Sequence, residues 1–218
     1  MLEEDMKEKR FNRFSVPLGL LDYINPVFYT VTMVTVLRNL SAGMDRPYYT
    51  LLKVGAIISI FFGFIIPTGK VIVGLGLIEF VMPVSLVFCV NAGILLSGLM
   101  LAKFVLGLDL MVWTALILLI AAFLVFVYSR HRKLNTVAVL TGAFGYILLY
   151  VSLICLSIRK GVLAPIIMYG LAIILFVMLC GIGIKANLKN PKVHWVIEIS
   201  NVICQGLVAI ATVMLFSK

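Results

Sequence analysis

The stretch VHWVIEISNVICQGLVAIATVM, residues 193–214, sets His194, Glu198, Asn201, Gln205 and Thr212 in an otherwise apolar run. At about 100° per residue, all five project within about 40° of one direction if the segment is helical. Trp195, Val196, Ile199, Val202, Ile203 and Leu207 take the other sides. A carboxylate and two amides on one stripe can exchange a proton, bind a cation or contact a polar solute. They can equally serve as hydrogen-bond glue between helices. His194 and Glu198 stand at i, i+4, which suits a shared metal ion, but two ligands do not make a metal site. His194 also sits near the loop, at headgroup level. No metal site and no cofactor is expected.

Two further polar residues stand in apolar surroundings. Glu79 lies between Ile78 and Phe80, either paired to Lys70 at the membrane surface or facing the same pathway. Asn91 lies deeper, where a neutral amide needs a partner but carries no charge penalty. Glu198, Asn201, Gln205, His194, Asn91 and Glu79 form the candidate pathway or solute-binding set, with Glu198 as its ionisable centre.

The elements that would hold these residues follow from composition. Of 218 residues, 63% are hydrophobic and 12% charged, with mean hydropathy +1.17. A soluble domain carries about a quarter charged residues. Lipid must therefore cover the apolar surface, and repeated apolar runs near 20 residues fit that reading. The fold class is all-α, a polytopic transmembrane helix bundle of about seven spans. Residues 1–25 read as a charged N-terminal segment and an interfacial turn, and 26–218 as the bundle. Asn25 is expected to cap the first span, with Pro26 in its first helical position.

The spans expected are 26–42, 50–66, 78–103, 110–128, 136–157, 162–184 and 193–216. PTGK (67–70) reads as a tight turn, and Pro83 as a bend near the start of the third span. Lys53 and Lys103 are expected to snorkel from helix ends. Gly55, Ser59 and Gly63 recur every four residues, as do Gly93 with Ser97 and Thr141 with Gly145. Small residues at this spacing let helix backbones approach, either within the bundle or between copies.

The net charge of +9 lies in short clusters between apolar runs, the pattern of orienting loop charges rather than of a nucleic-acid surface. With the N-terminus inside, eleven Lys and Arg fall on the cytoplasmic side and seven on the other. A bacterial cytoplasmic membrane with a cytoplasmic N-terminus is the expected location. The four cysteines fall inside apolar runs without a C-x-x-C pair, which supports neither a disulfide framework nor a zinc knuckle.

Similar strings begin the first and fifth spans, and Ile-Glu recurs at 78–79 and 197–198. Together they suggest a three-plus-one-plus-three parallel duplication. That plan resembles small sugar- and vitamin-permeating transporters in architecture only. The Pro-Gln pair of one such group is missing, since Pro83 is followed by Val84.

Seven short-looped spans leave no soluble catalytic domain. Two histidines cannot build a three-histidine zinc site, and no aspartate lies mid-span for an aspartyl dyad. Ser97-Gly98 lacks the flanking glycine and base of a nucleophile motif. An intramembrane lipid- or peptide-modifying enzyme is thus disfavoured. A small secondary transporter or channel for an ion or polar solute comes first, and a noncatalytic subunit or sensor second. The partners expected are the bilayer, a small polar solute or cation, and a second copy or partner membrane subunit.

Overall fold

The computed structural model describes residues 15–77, 84–108, 134–185 and 191–217. Seven α-helices occupy them: α1 Val16–Asp22, α2 Ile24–Leu40, α3 Arg46–Gly74, α4 Val84–Leu106, α5 Leu134–Arg159, α6 Leu163–Lys185 and α7 Pro191–Phe216. Taking α1 and α2 together, six helical segments among the described residues are long and apolar enough to cross a membrane. The protein is an integral multi-pass membrane protein built as an all-α bundle. The span expected at 110–128, the Pro83 bend and Glu79 lie outside the described residues.

Two sequence expectations are corrected. The first span does not begin with an Asn25 cap: α1 already covers residues 16–22, and α2 starts at Ile24 with Tyr23 as its N-cap. Pro26 instead explains the break. It lacks the N–H that would bond the Asp22 carbonyl four residues earlier, and its ring crowds that carbonyl, so the helix interrupts at Tyr23. PTGK is not a turn either. Helix α3 runs through Pro67 and Lys70 to Gly74, and the turn comes at Leu75–Leu77, with Gly76 at φ 71°. Pro67 lies inside α3, and the helix continues past it.

The helices close a ring in which α2 packs on α3, α3 on α4, α4 on α5, α5 on α6, α6 on α7, and α7 back on α2. Residue pairings give the directions. Ser59 meets Val90 and Gly55 meets Ser97, so α3 and α4 are antiparallel. Gly142 meets Asn91 and Gly98 meets Leu148, so α4 and α5 run parallel. Cys204 meets Ala172 and Thr212 meets Tyr169, making α6 and α7 antiparallel. Asn25 meets Glu198 and Phe28 meets Gly206, so α7 and α2 are again parallel. Two up-down-up triplets thus stand side by side in the same sense. This order is compatible with the duplication, of which the mark at 78–79 lies outside the described residues.

The seam between α3, α4 and α5 is made of small residues. A Cβ on Gly55 would lie 2.8 Å from the Gly93 carbonyl oxygen, and one on Gly93 would lie 2.6 Å from that of Gly55. One on Gly145 would lie 2.6 Å from the Leu95 backbone, while Gly63 faces Pro26 more loosely at 3.3 Å. Ser59 and Ser97 are buried in the same seam and donate to their own helix at Gly55 and Gly93.

Candidate functional site

The polar stripe of α7 faces inward. Glu198, Gln205 and Thr212 are buried, while Ile199, Ile203, Ile210 and Val213 on the other sides are exposed to the lipid region. Each buried polar residue stands seven positions after the last and meets a different helix. Glu198 meets α3, Gln205 meets α5 and Thr212 meets α6.

At the first level the Lys70 ammonium donates to Glu198 Oε1 at 2.6 Å and to Asp22 Oδ2 at 2.7 Å. Asn25 Nδ2 donates to Asp22 Oδ1 at 3.0 Å and reaches Glu198 Oε2 at 3.5 Å. The side chains of Lys70, Asp22 and Glu198 retain only 12, 11 and 10% of their accessible surface. With both carboxylates ionised, the three carry a formal charge of −1. Asn25 Oδ1 is buried with no hydrogen-bond partner. Counted from the helix ends at 1.5 Å per residue, the cluster lies roughly 6–10 Å inside one face of the bundle.

Local sequence features bring these groups together. Gly19 lets α1 rest on the backbone of α3: a Cβ there would lie 3.0 Å from Val71 N and 2.8 Å from its side chain. One turn later Asp22 meets Lys70. Beside it, Thr68 donates to the Phe64 carbonyl, leaving its oxygen to accept from Tyr23 at 2.7 Å. Asn25, three residues after Asp22, spans the break between α1 and α2 and ties it to α7.

Two helical turns deeper, about 10 Å along the axes, a second polar level lies near the middle of its spans. It holds Tyr29 of α2, Ser59 of α3, Ser97 of α4, Tyr150 of α5 and Gln205 of α7, all buried. Gln205 Nε2 donates to the Tyr150 hydroxyl at 3.3 Å. Tyr146 of α5 touches three rings, with centroid distances of 5.0 Å to Phe176, 5.6 Å to Tyr150 and 6.4 Å to Tyr29. The Tyr29 hydroxyl is buried beside the Ser59 and Ser97 hydroxyls and makes no close hydrogen bond. At the third level Thr212 donates to the Val208 carbonyl, and Tyr169 donates to Thr212 at 2.9 Å.

Of the residues singled out in the sequence, Glu198 and Gln205 thus occupy two buried levels of the ring. Asn201 and His194 are half-buried on α7. Asn91 lies against Gly142 on the α4–α5 seam rather than beside Glu198. Lys70, read as a loop cation, lies within α3 and pairs across the helices with Glu198 of α7. Asp22, Asn25 and Tyr29 were missed. The spacing of Asp22 and Asn25, three apart on one helical face, was the available signal.

Among the described residues, no group of three or more His, Cys, Asp or Glu is placed to hold a metal ion. No protein-family model, curated protein or solved structure matches this chain.

Proposed function

We propose that the protein is a small secondary transporter in which Asp22, Lys70 and Glu198 form the ionisable centre. The observation that carries this reading is the cluster itself. Three charged side chains from three spans converge inside the bundle, and among the described residues their formal charges do not cancel. At membrane depth an uncompensated charge costs several kcal/mol, so such groups are rare and are associated with ion or proton pathways. A proton on either carboxylate cancels the charge of −1, and so does a bound cation. Either event weakens the hold of Glu198 or Asp22 on Lys70, and with it the contact that closes α7 and α1 onto the end of α3. Charge binding is thereby coupled to the packing of that face, as alternating access requires.

Infrared difference spectroscopy on reconstituted protein tests this, with Glu198→Gln as control. The expected result is a carboxyl band that titrates, is lost in Glu198→Gln, and shifts when a cation or solute is added. A silent carboxyl in a protein whose fold fails on Glu198→Gln makes the cluster a structural tie.

A further inference from the structure

We infer that Glu198, the Asn25 amide oxygen and the Asp22 backbone carbonyl form a binding site for a monovalent cation of sodium's size. This names the coupling ion of the transport reading, on which the inference rests. The site lies at the break between α1 and α2, on the carboxylate oxygens that Lys70 does not take.

Three oxygens there are short of donors. Lys70 takes one oxygen of each carboxylate, Glu198 Oε1 and Asp22 Oδ2. The other two turn to the Asn25 amide. Asp22 Oδ1 accepts from Nδ2 at 3.0 Å, but Glu198 Oε2 stands at 3.5 Å, the outer limit of a hydrogen bond. The oxygen of the same amide, Asn25 Oδ1, is buried with no hydrogen-bond partner, in a residue only 8% exposed. The third oxygen is the Asp22 backbone carbonyl. Four residues on stands Pro26, which has no N–H to give it. Buried polar atoms left open in this way call for an explanation.

Geometry and charge select the ion. The oxygen and nitrogen of an amide stand about 2.3 Å apart, so Asn25 Oδ1 lies within about 6 Å of Glu198 Oε2 whichever way it points. An ion that takes oxygens at about 2.4 Å, as Ca2+ and the equally large Na+ do, bridges oxygens up to about 5 Å apart. A small turn of Asn25 closes the difference and gives up only the 3.5 Å contact. Its nitrogen then holds Asp22 while its oxygen holds the ion. A bare Na+ is no larger than a water molecule, so the site asks for the turn of one side chain rather than for a cavity. Oxygen donors suit a hard cation. Among the described residues Asp22, Lys70 and Glu198 sum to −1. One positive charge cancels that sum, whereas a divalent ion leaves a buried excess of positive charge. Carbonyls freed at the interruption of a membrane helix are a recurrent way to coordinate Na+.

The test is binding of radiolabelled Na+ to the purified full chain in detergent, with choline as the background cation. Saturable binding is expected, displaced by unlabelled Na+, about tenfold less well by K+, and not by choline. Asn25→Leu removes the amide oxygen and should weaken binding about tenfold or more. Asn25→Asp keeps an oxygen in that place while losing the donor to Asp22, so it should retain binding. Loss of binding in both variants, each eluting as folded protein, makes Asn25 a tie between helices and overturns the inference. Unchanged binding in Asn25→Leu overturns it as well. Two readings on wild type need no variant to fold. Absence of saturable Na+ binding, or equal displacement by K+, overturns the inference. So does a Na+-minus-choline infrared difference spectrum in which no carboxylate band moves. Saturable Na+ binding without Na+ uptake into proteoliposomes leaves the site standing and removes the transport reading. A Glu198 that titrates while Na+ fails to bind removes the site and leaves the transport reading with the proton as its ion.

Discussion

Helix α3 joins its neighbours in two different ways along its length. In its middle, Gly55 and Ser59 sit against Gly93 and Ser97 with backbone nearly on backbone. At its end, Lys70 reaches across to Asp22 and Glu198 through charge. The first contact depends on shape, and neither pH nor salt changes it. The second depends on protonation and on the presence of both partners. One part of the helix is therefore a fixed seam, while the other can be released by a change of charge.

The largest expected effect is at the charged end. Lys70→Met leaves two buried carboxylates facing each other, and breaking a buried pair in this way costs about 3–5 kcal/mol. Adding Glu198→Gln removes one of those carboxylates and should recover a substantial part of the loss. Thermal unfolding followed by size-exclusion chromatography reads both. A double variant no more stable than Lys70→Met would show that the cluster is not acting as a charge unit.

A smaller loss is expected in the seam. Gly93→Ala pushes a methyl group into the Gly55 carbonyl, and overpacking of this kind costs about 1–3 kcal/mol. That loss should be the same at every pH tested. If it varied with pH as the Lys70 variants do, the distinction between the two regions would collapse. The smallest effect belongs to Thr212→Val, which removes the acceptor of the Tyr169 hydroxyl. Interhelical hydrogen bonds in membranes average about 0.6 kcal/mol, so its unfolding midpoint should shift least of the three.

The long apolar helices were legible because lipid residence imposes a length and a composition that few other structures share. The inward direction of Glu198, Gln205 and Thr212 was legible too, since helical periodicity alone aligns them. Proline and glycine misled at two points. Pro67 with Gly69 suggested a turn, yet α3 continues through both and carries Lys70 into the bundle. Pro26 suggested a helix start, yet its main consequence is the interruption at Tyr23 behind it. A proline constrains the carbonyl four residues earlier as much as its own position, and a motif read forwards overlooks that.

By itself, the sequence determined that this chain lives in a membrane, that it is helical, and that its last helix turns a polar stripe away from lipid. Each of these follows from rules that act within a single helix or at its surface. Tertiary structure alone decided that Glu198 meets Lys70 and Asp22, groups far apart in the chain. That meeting depends on the ring order of the helices, on the interruption at Tyr23 and on the close seat of Gly19 against Val71. Charge in a bilayer demands a partner, but only the packing of several helices chooses which one.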